Sequence, residues 1–313
     1  MSTPYCDYEG SRYRDEFWGQ GREYENAAER RALRALLPPG GRRLLEIGAG
    51  YGRLADLYTG YDEVYLLDYA RTQMEQAQEY LAPGAGKERL RRNLAGFTYV
   101  VGDIYNLPFT DGFFETVVTV RVLHHIADIP TALAEVARVT AGGGVYVLEY
   151  ANKRNLKAIL RYWLGRQPSP FTLDPWEFVK LNYDFHPAYM EQQLTAAGFA
   201  IQEQRAASFF RIGLLKRVVP TRLLAGLDGL LQAPLARLKP APSVFLRTLS
   251  QKPPAPELAA RWRCPHCHVP LEGSVSQYQT LDCPSCGARW NATGGIYDFK
   301  TPVGEPSAKT AGP

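Results

Sequence analysis

The chain lacks a hydrophobic run long enough to cross a bilayer, which takes about 20 apolar residues, so no transmembrane helix is expected. The first thirty residues also lack the unbroken apolar core of a secretory leader. They mix Tyr5, Tyr8, Tyr13, Phe17, Trp18 and Tyr24 with Arg12, Arg14 and Arg22 instead. The expected compartment is therefore the cytoplasm, where thiols stay reduced. Cysteine is scarce, at five in 313 residues, and four of the five are grouped in a way that argues for metal rather than disulfides. Charge of either sign is not in surplus: a net +4 is too small to demand a nucleic-acid partner. The length and a 45% apolar composition allow one large core plus a small satellite, so two domains are expected.

What is present begins with Leu44-Leu45-Glu46-Ile47-Gly48-Ala49-Gly50-Tyr51-Gly52-Arg53-Leu54. An apolar strand runs into a glycine turn, and glycines let a backbone approach a ligand closely. A helix is expected to follow and to aim its free N–H groups at that ligand. Asp68 ends the next apolar run, Val64-Tyr65-Leu66-Leu67, twenty positions after Gly48, where a carboxylate can accept from ribose hydroxyls. The pairing points to a nucleotide-like cofactor. A dinucleotide fingerprint would read G-x-G-x-x-G, whereas here the third glycine comes one residue early and Arg53 takes its place. The triplet alone also fits an ordinary strand-to-helix turn.

The rest of the first half supplies context. Phe97 to Ile104, Phe113 to Val120 and Gly144 to Tyr150 read as further strands, apolar and β-branched as in sheets buried on both faces. Helical patterns separate them: Arg71–Leu81, and Ile129–Val139 with Pro130 in its first turn and Gly142-Gly143-Gly144 beyond its end. Alternating strands and helices predict a doubly wound α/β fold with ligands at the carboxyl ends of the strands.

These blocks, in order, resemble the class I S-adenosylmethionine-dependent methyltransferases, in particular the broad group that includes the ubiquinone-pathway C-methyltransferases. LLEIGAGYGRL is similar to the family's first motif and LLDYARTQMEQA to its second-strand motif. VVGDIYNLPFTDGFFETVV is similar to the adenine-binding block, and RVLHHIAD to the segment after the fourth strand. The resemblance spans residues 44 to 150. It implies a Rossmann-like, seven-stranded, mostly parallel sheet of order 3-2-1-4-5-7-6, with Ala200–Phe209 and Ser243–Ser250 as the closing antiparallel hairpin. It also implies roles. Glu46 would orient the methionine amino group, and Gly48, Gly50 and Gly52 would pass beneath the cofactor. Asp68 would hold the ribose and Tyr69 would stack on adenine. Asp103 would accept from the adenine amino group, Ile104 would line that pocket, and Arg121 would pass the sulfonium side.

Methyl transfer is an in-line displacement, so positioning matters most and a base is needed only where the nucleophile must lose a proton. No catalytic residue is forced. His125, of the pair His124-His125, is the candidate base, the alternative being a histidine packed beneath the cofactor loop. His186, before Pro187, reads as a helix-entry residue. Methyltransferases of amide or exocyclic nitrogens often carry Asn/Asp-Pro-Pro-aromatic after strand four. Thr119-Val120-Arg121-Val122 stands there instead, which argues against such acceptors. The aromatic leader is expected either to close over the cofactor, with Tyr13 and Trp18 walling the site, or to staple the helix Asn26–Leu37 to the sheet.

The second half holds Cys264-Pro265-His266-Cys267 and Cys283-Pro284-Ser285-Cys286, fifteen residues apart. This spacing predicts a structural zinc site closed by Cys264, Cys267, Cys283 and Cys286. His266 and His268 are read as solvated knuckle residues and Cys6 as a free thiol. Residues 262 to 300 resemble the small zinc-ribbon activator that binds several tRNA, rRNA and release-factor methyltransferases as a separate subunit, here fused in cis and able to pack on its own methyltransferase domain. The domain reading is 1–251 methyltransferase with an N-terminal lid, 252–261 Pro-rich linker, 262–300 zinc ribbon, and 301–313 disordered tail.

Two insertions, Asn152 to Asp184 and Arg211 to Pro242, mix apolar and basic residues. They fit an RNA footprint, an amphipathic cover for an apolar substrate or membrane surface, or a helix pair closing the sheet. The leading functional reading is methyl transfer from S-adenosylmethionine to a small or lipid-like acceptor, O- or C-methylation ahead of amide N-methylation. The alternatives are an RNA-modifying methyltransferase and a cofactor-binding regulatory protein without turnover.

Overall fold

Four consecutive buried residues, Leu44 to Ile47, make β1 (Gly41–Ile47) a strand covered on both faces, and in the computed structural model it lies inside the sheet. The structure describes residues 7–11, 14–18, 21–82, 96–256, 260–271 and 279–303. Tyr13, Cys6, Arg12 and the tail from 304 onward lie outside the described residues. β2 (Tyr61–Asp68) and β4 (Phe114–Thr119) flank β1 in parallel, placing Leu67 and Thr119 on either side of Ile47. β3 (Phe97–Val101) lies outside β2, and β5 (Thr140–Ala151) outside β4. The hairpin partners β8 (Phe199–Ala207) and β9 (Ser243–Ser250) complete one side antiparallel to β5.

The order β3-β2-β1-β4-β5-β9-β8 is the expected seven-strand order, but the sheet does not stop there. Three short strands from the C-terminal module, β14 (Ile296–Asp298), β13 (Arg289–Asn291) and β12 (Thr280–Asp282), continue it beyond β3 to ten strands. Ile296, Tyr297 and Asp298 run parallel to Tyr99, Val100 and Val101. The reason is the edge: β3 would otherwise present a row of unpaired N–H and C=O groups, and β14 satisfies it. A separate two-strand ribbon, β10 (Trp262–Arg263) with β11 (Pro270–Leu271), carries the first cysteine knuckle.

α1 (Glu23–Leu36) and α2 (Arg71–Tyr80) share one core layer with Leu44, Val64 and Leu66. α3 (Ile129–Val139) and α5 (Pro187–Ala196) cover the other face together with Trp262 and Trp290 of the C-terminal module. Asp128 caps α3 by accepting from the Thr131 N–H at 3.1 Å, and His186 caps α5 by accepting from the Ala188 N–H at 3.2 Å. Two expectations are corrected. No α-helix follows the glycine turn: only a 3-10 turn, Ala55–Leu57, forms, because Leu54 and Tyr58 plunge into the core and the chain enters β2 at Tyr61. Gly142 to Gly144 lie beyond the end of α3 as expected, but β5 begins at Thr140 rather than at Gly144, so they fall within the strand. A Cβ on Gly142 would sit 2.3 Å from the Pro253 carbonyl oxygen, so the glycine lets the linker cross the strand.

The two insertions form α4 (Leu156–Trp163), a hairpin of β6 (Trp176–Val179) and β7 (Asn182–Asp184), then α6 (Gly213–Val218) and α7 (Thr221–Gln232). α7 packs on α1, where the Tyr24 hydroxyl donates to buried Asp228 and Gln232 Nε2 donates to the Ala28 carbonyl at 2.9 Å. Among the described residues no helix is long and apolar enough to cross a membrane.

Candidate active site

β1 ends at Ile47 and the chain reverses at Gly48, where φ is +70°. A Cβ there would lie 2.2 Å from Val122 Cγ2, so glycine alone lets the turn close against the loop after β4. Asp68, at the end of β2, ties the turn down: Oδ2 accepts from the Gly50 N–H at 2.9 Å and Oδ1 from the Ala70 N–H at 3.1 Å. Burial raises the Asp68 carboxyl above the usual carboxylate range even though backbone N–H groups oppose the shift.

A cleft opens over these strand ends. It is lined by Gly48, Gly50, Asp68, Tyr69, Asp103, Ile104, Arg121 and His125, so eight residues scattered over the sequence converge there. Tyr8, Gln73 and Val122 are among the other residues of its wall. A second cleft shares Gly48, Gly50 and Arg121 with the first and adds Glu46, Arg53 and Trp18. Gly52 lines neither cleft: it turns toward α2, its Cβ direction meeting Leu81 and Ala77.

Electrostatics divide the two clefts. Glu46 is 2% exposed, one carboxylate oxygen has no hydrogen-bond partner among the described residues, and burial pushes its carboxyl up to about 8, although Arg53 opposes this. Beside it, a buried carboxylate collects three arginines. Glu29 of α1 bonds Arg53 at 3.0 Å and Arg121 at 3.1 Å, with Arg211 at 3.6 Å. Burial works against its ionisation, yet Arg121, Arg53 and Arg211 hold the carboxyl below its usual range. Arg121 has φ +62°, a left-handed conformation that costs a non-glycine residue about 1–2 kcal/mol. Its N–H donates to buried Glu149 at 3.0 Å, and Trp18 covers Arg53 with 3.8 Å from guanidinium to ring centre. Glu29 is not singled out in the sequence, and Arg53 only as a departure from the dinucleotide glycine pattern, although a glutamate in the core-facing stripe of Ala28, Ala32, Leu33 and Leu36 is a signal.

His125 faces the first cleft. Nδ1 lies 3.0 Å from the Leu181 carbonyl and Nε2 3.2 Å from the Tyr8 hydroxyl, so the carbonyl assigns the proton to Nδ1 and leaves a lone pair on Nε2. Burial and nearby Arg121 hold the ring below the ordinary histidine range. His124 is more deeply buried, and burial and His125 push its pKa far down. The C-terminal module reaches the same cleft. Lys300 Nζ sits 3.8 Å from the centre of the Tyr69 ring, and Arg71 pairs with Asp298 at 3.2 Å. The loop carrying Asp103 is held from behind: Asn106 Nδ2 donates to the Pro265 carbonyl at 2.8 Å, the Arg263 N–H donates to Pro108, and Trp262 stacks on Phe109 at 5.3 Å.

At the module's own centre, Cys264, Cys267, Cys283 and Cys286 bring their sulfurs within 4.8 Å of one another, with Cys267–Cys283 at 3.4 Å and Cys264–Cys286 at 3.7 Å. A tetrahedral zinc site with bonds of about 2.3 Å has sulfur–sulfur edges of about 3.8 Å, so the four thiols fit one ion. His266 and His268 are exposed and stand outside this set.

Residues 45–148 match the family described as Methyltransferase domain. A fatty-acid O-methyltransferase of Mycolicibacterium smegmatis is 33% identical over 114 residues, 36% of this chain and 39% of that protein. A malonyl-[acyl-carrier protein] O-methyltransferase of Erwinia pyrifoliae is 27% identical over 152 residues, 48% of this chain and 53% of that protein. The chain thus spans about two fifths to one half of these relatives' lengths. Among solved structures, a chain from the complex between the Haloferax volcanii Trm112 methyltransferase activator and a methyltransferase superposes with a TM-score of 0.50 at 17% identity, covering 76% of this chain and 97% of that one, a likeness of fold. Residues 45–148 thus match a methyltransferase domain, and they lie on a Rossmann-like α/β fold.

Proposed function

We propose that the protein transfers a methyl group from S-adenosylmethionine to the oxygen or carbon of a small or lipid-like acceptor. The observation that carries this reading is the pair of adjoining clefts meeting at Gly48, Gly50 and Arg121, one with two carboxylates and an aromatic ring, the other with a buried carboxylate oxygen that lacks a partner among the described residues. The residues suit the cofactor. Glu46 receives its ammonium group, and Gly48 and Gly50 pass beneath it. Asp68 takes the ribose, while Tyr69, Asp103 and Ile104 take adenine. Arg53 and Arg121, held by Glu29, face its carboxylate. Bound there, S-adenosylmethionine supplies an electrophilic methyl group and a sulfur leaving group.

The chain's own part is to aim the acceptor and accept its proton. His125 Nε2 would take the proton of a hydroxyl acceptor, with Tyr8 moving off the ring nitrogen. A carboxylate acceptor carries no proton and needs no base. The names of the fatty-acid and malonyl O-methyltransferase relatives support O-methylation. The four cysteines hold a structural zinc ion, and through Asn106, Pro108 and Phe109 the ribbon steadies the loop that carries Asp103.

Calorimetric titration with S-adenosylmethionine tests the site: Asp68→Ala lowers affinity at least tenfold, and unchanged affinity refutes the assignment. Labelled cofactor incubated with separated lipid, metabolite and RNA fractions tests the acceptor. Label in the lipid or metabolite fraction supports the reading; label confined to RNA overturns it.

A further inference from the structure

The sheet edge that opens the clefts also carries an exposed apolar cover. Ala151 of β5 lies opposite Ser243 of β9, and Ser243 lies opposite Ala207 of β8, so three strand ends, belonging to the two insertions, meet at one level. β5 runs parallel to β4, so this is the carboxyl edge, where Gly48 and Arg121 line the clefts.

The segments that leave there are apolar and unburied. In α4 only Ala158 is buried, while Trp163 and the following Leu164 are 69% and 66% exposed. α7 buries Leu224, Ala225 and Asp228, whereas Leu223, Leu227 and Leu230 recur at helical spacing on the outer side, 55%, 49% and 73% exposed. α6 adds Leu214 and Val218. The two insertions meet where the Leu156 N–H donates to the Pro240 carbonyl at 2.9 Å, next to exposed Leu238. So many exposed large apolar side chains on the two insertions call for a use.

The charge on the helical parts of this cover is basic, the acids Asp174, Glu177 and Asp184 of the first insertion lying in and just before its β6–β7 hairpin. Residues 152–173 contain Lys153, Arg154, Lys157, Arg161 and Arg166 and no aspartate or glutamate. Residues 209–242 contain six lysines and arginines and a single acid, Asp228, which is fully buried. Lys216 and Lys239 pair with Glu25 and Glu191, while Arg161, Arg166, Arg217, Arg222 and Arg237 have no acidic partner among the described residues. Leucine and tryptophan at the surface, set among arginines, have no work to do on a phosphodiester backbone but suit a bilayer. Apolar side chains enter the headgroup boundary and guanidinium groups meet lipid phosphates.

We propose that this face docks on the surface of an anionic lipid bilayer, bringing the mouth of the clefts against the membrane. The surface stands independently of the methyl-transfer reading, because docking is measured without cofactor or acceptor. The experiment is co-sedimentation of the full chain with vesicles of phosphatidylcholine, with and without phosphatidylglycerol, over a salt series.

Binding to the anionic vesicles, weakened by salt, supports the proposal. So does a blue shift of tryptophan emission that Trp163→Phe removes. Trp163→Glu with Leu164→Glu is expected to lower vesicle affinity about tenfold or more. Leu230→Glu, on a different helix, gives an independent loss, with circular dichroism confirming that each variant is folded. Arg161→Gln with Arg166→Gln is expected to flatten the salt dependence. Failure to sediment with anionic vesicles overturns the proposal. Sedimentation that survives all the glutamate variants does the same, as does structured RNA displacing the protein from the vesicles through the same arginines.

Discussion

Glu46→Gln separates what this carboxyl does for the fold from what it does for the cofactor. Glu46 is buried among Leu44, Leu45 and Ile47, with its carboxyl pushed up to about 8. In the unfolded chain a glutamate titrates near 4.3. Between these values the native protein keeps a proton that the unfolded chain has released, so this group makes stability fall as pH rises, by about 1.4 kcal/mol per pH unit. From pH 5.5 to 7.5 the decline is about 3 kcal/mol. Glutamine is neutral throughout and removes it. Urea unfolding at pH 5.5, 6.5 and 7.5 should therefore show the variant gaining on the wild type at each step, a widening of roughly 6–12 °C if read as thermal midpoints. An ammonium group needs the ionised carboxylate, so S-adenosylmethionine binding near pH 6.5 should release about one proton from wild type and none from the variant, measured by calorimetry in buffers of different ionisation heat. Affinity should fall at least tenfold in the variant. A stability gap that stays flat with pH, with equal proton release from both proteins, would refute the reasoning.

Gly48→Ala combines a left-handed backbone with a methyl group 2.2 Å from Val122 Cγ2. The expected loss is about 1–2 kcal/mol for the backbone and about 1–3 for overpacking, and Val122→Ala in the same chain should return only the second part in denaturant unfolding. Cys283→Ser should lower zinc content by elemental analysis and the thermal midpoint with it, and should also weaken S-adenosylmethionine binding, because the knuckle that holds Asn106 loosens. His125→Gln should slow transfer to hydroxyl acceptors by about 10²–10⁴ and leave carboxylate acceptors unaffected, as measured by initial rates on the two acceptor types. With the His125 pKa held below the ordinary range, the wild-type rate on hydroxyl acceptors should stay flat above neutrality and fall only in acid.

The strands were legible because strands covered on both faces write themselves as apolar runs: Leu44–Ile47, Val64–Leu67 and Val145–Leu148 need no partner to be recognised, while their order came from the resemblance to a methyltransferase family. α3 was legible from Asp128 and Pro130, whose capping chemistry is local. The cleft residues followed because each ends a strand or opens the next loop. Glu29 stayed hidden because its meaning depends on three arginines drawn from distant segments, and Arg53 because it had been read as a substitution in the glycine pattern rather than as a group in the second cleft. The ten-strand sheet was not legible at all. β12, β13 and β14 are three residues each, too short for any periodicity, and they are defined by partners far away in sequence.

That distance has a consequence for how the chain is made. Tyr99 pairs with Ile296, so 197 residues separate the two halves of one ladder. At about 5–20 residues per second, the ribosome needs roughly 10–40 s to deliver the strand that covers β3. For that interval the nascent protein carries an open strand edge that other chains can occupy, which makes the window between synthesis of β3 and of β14 the time at which a chaperone has most influence on yield.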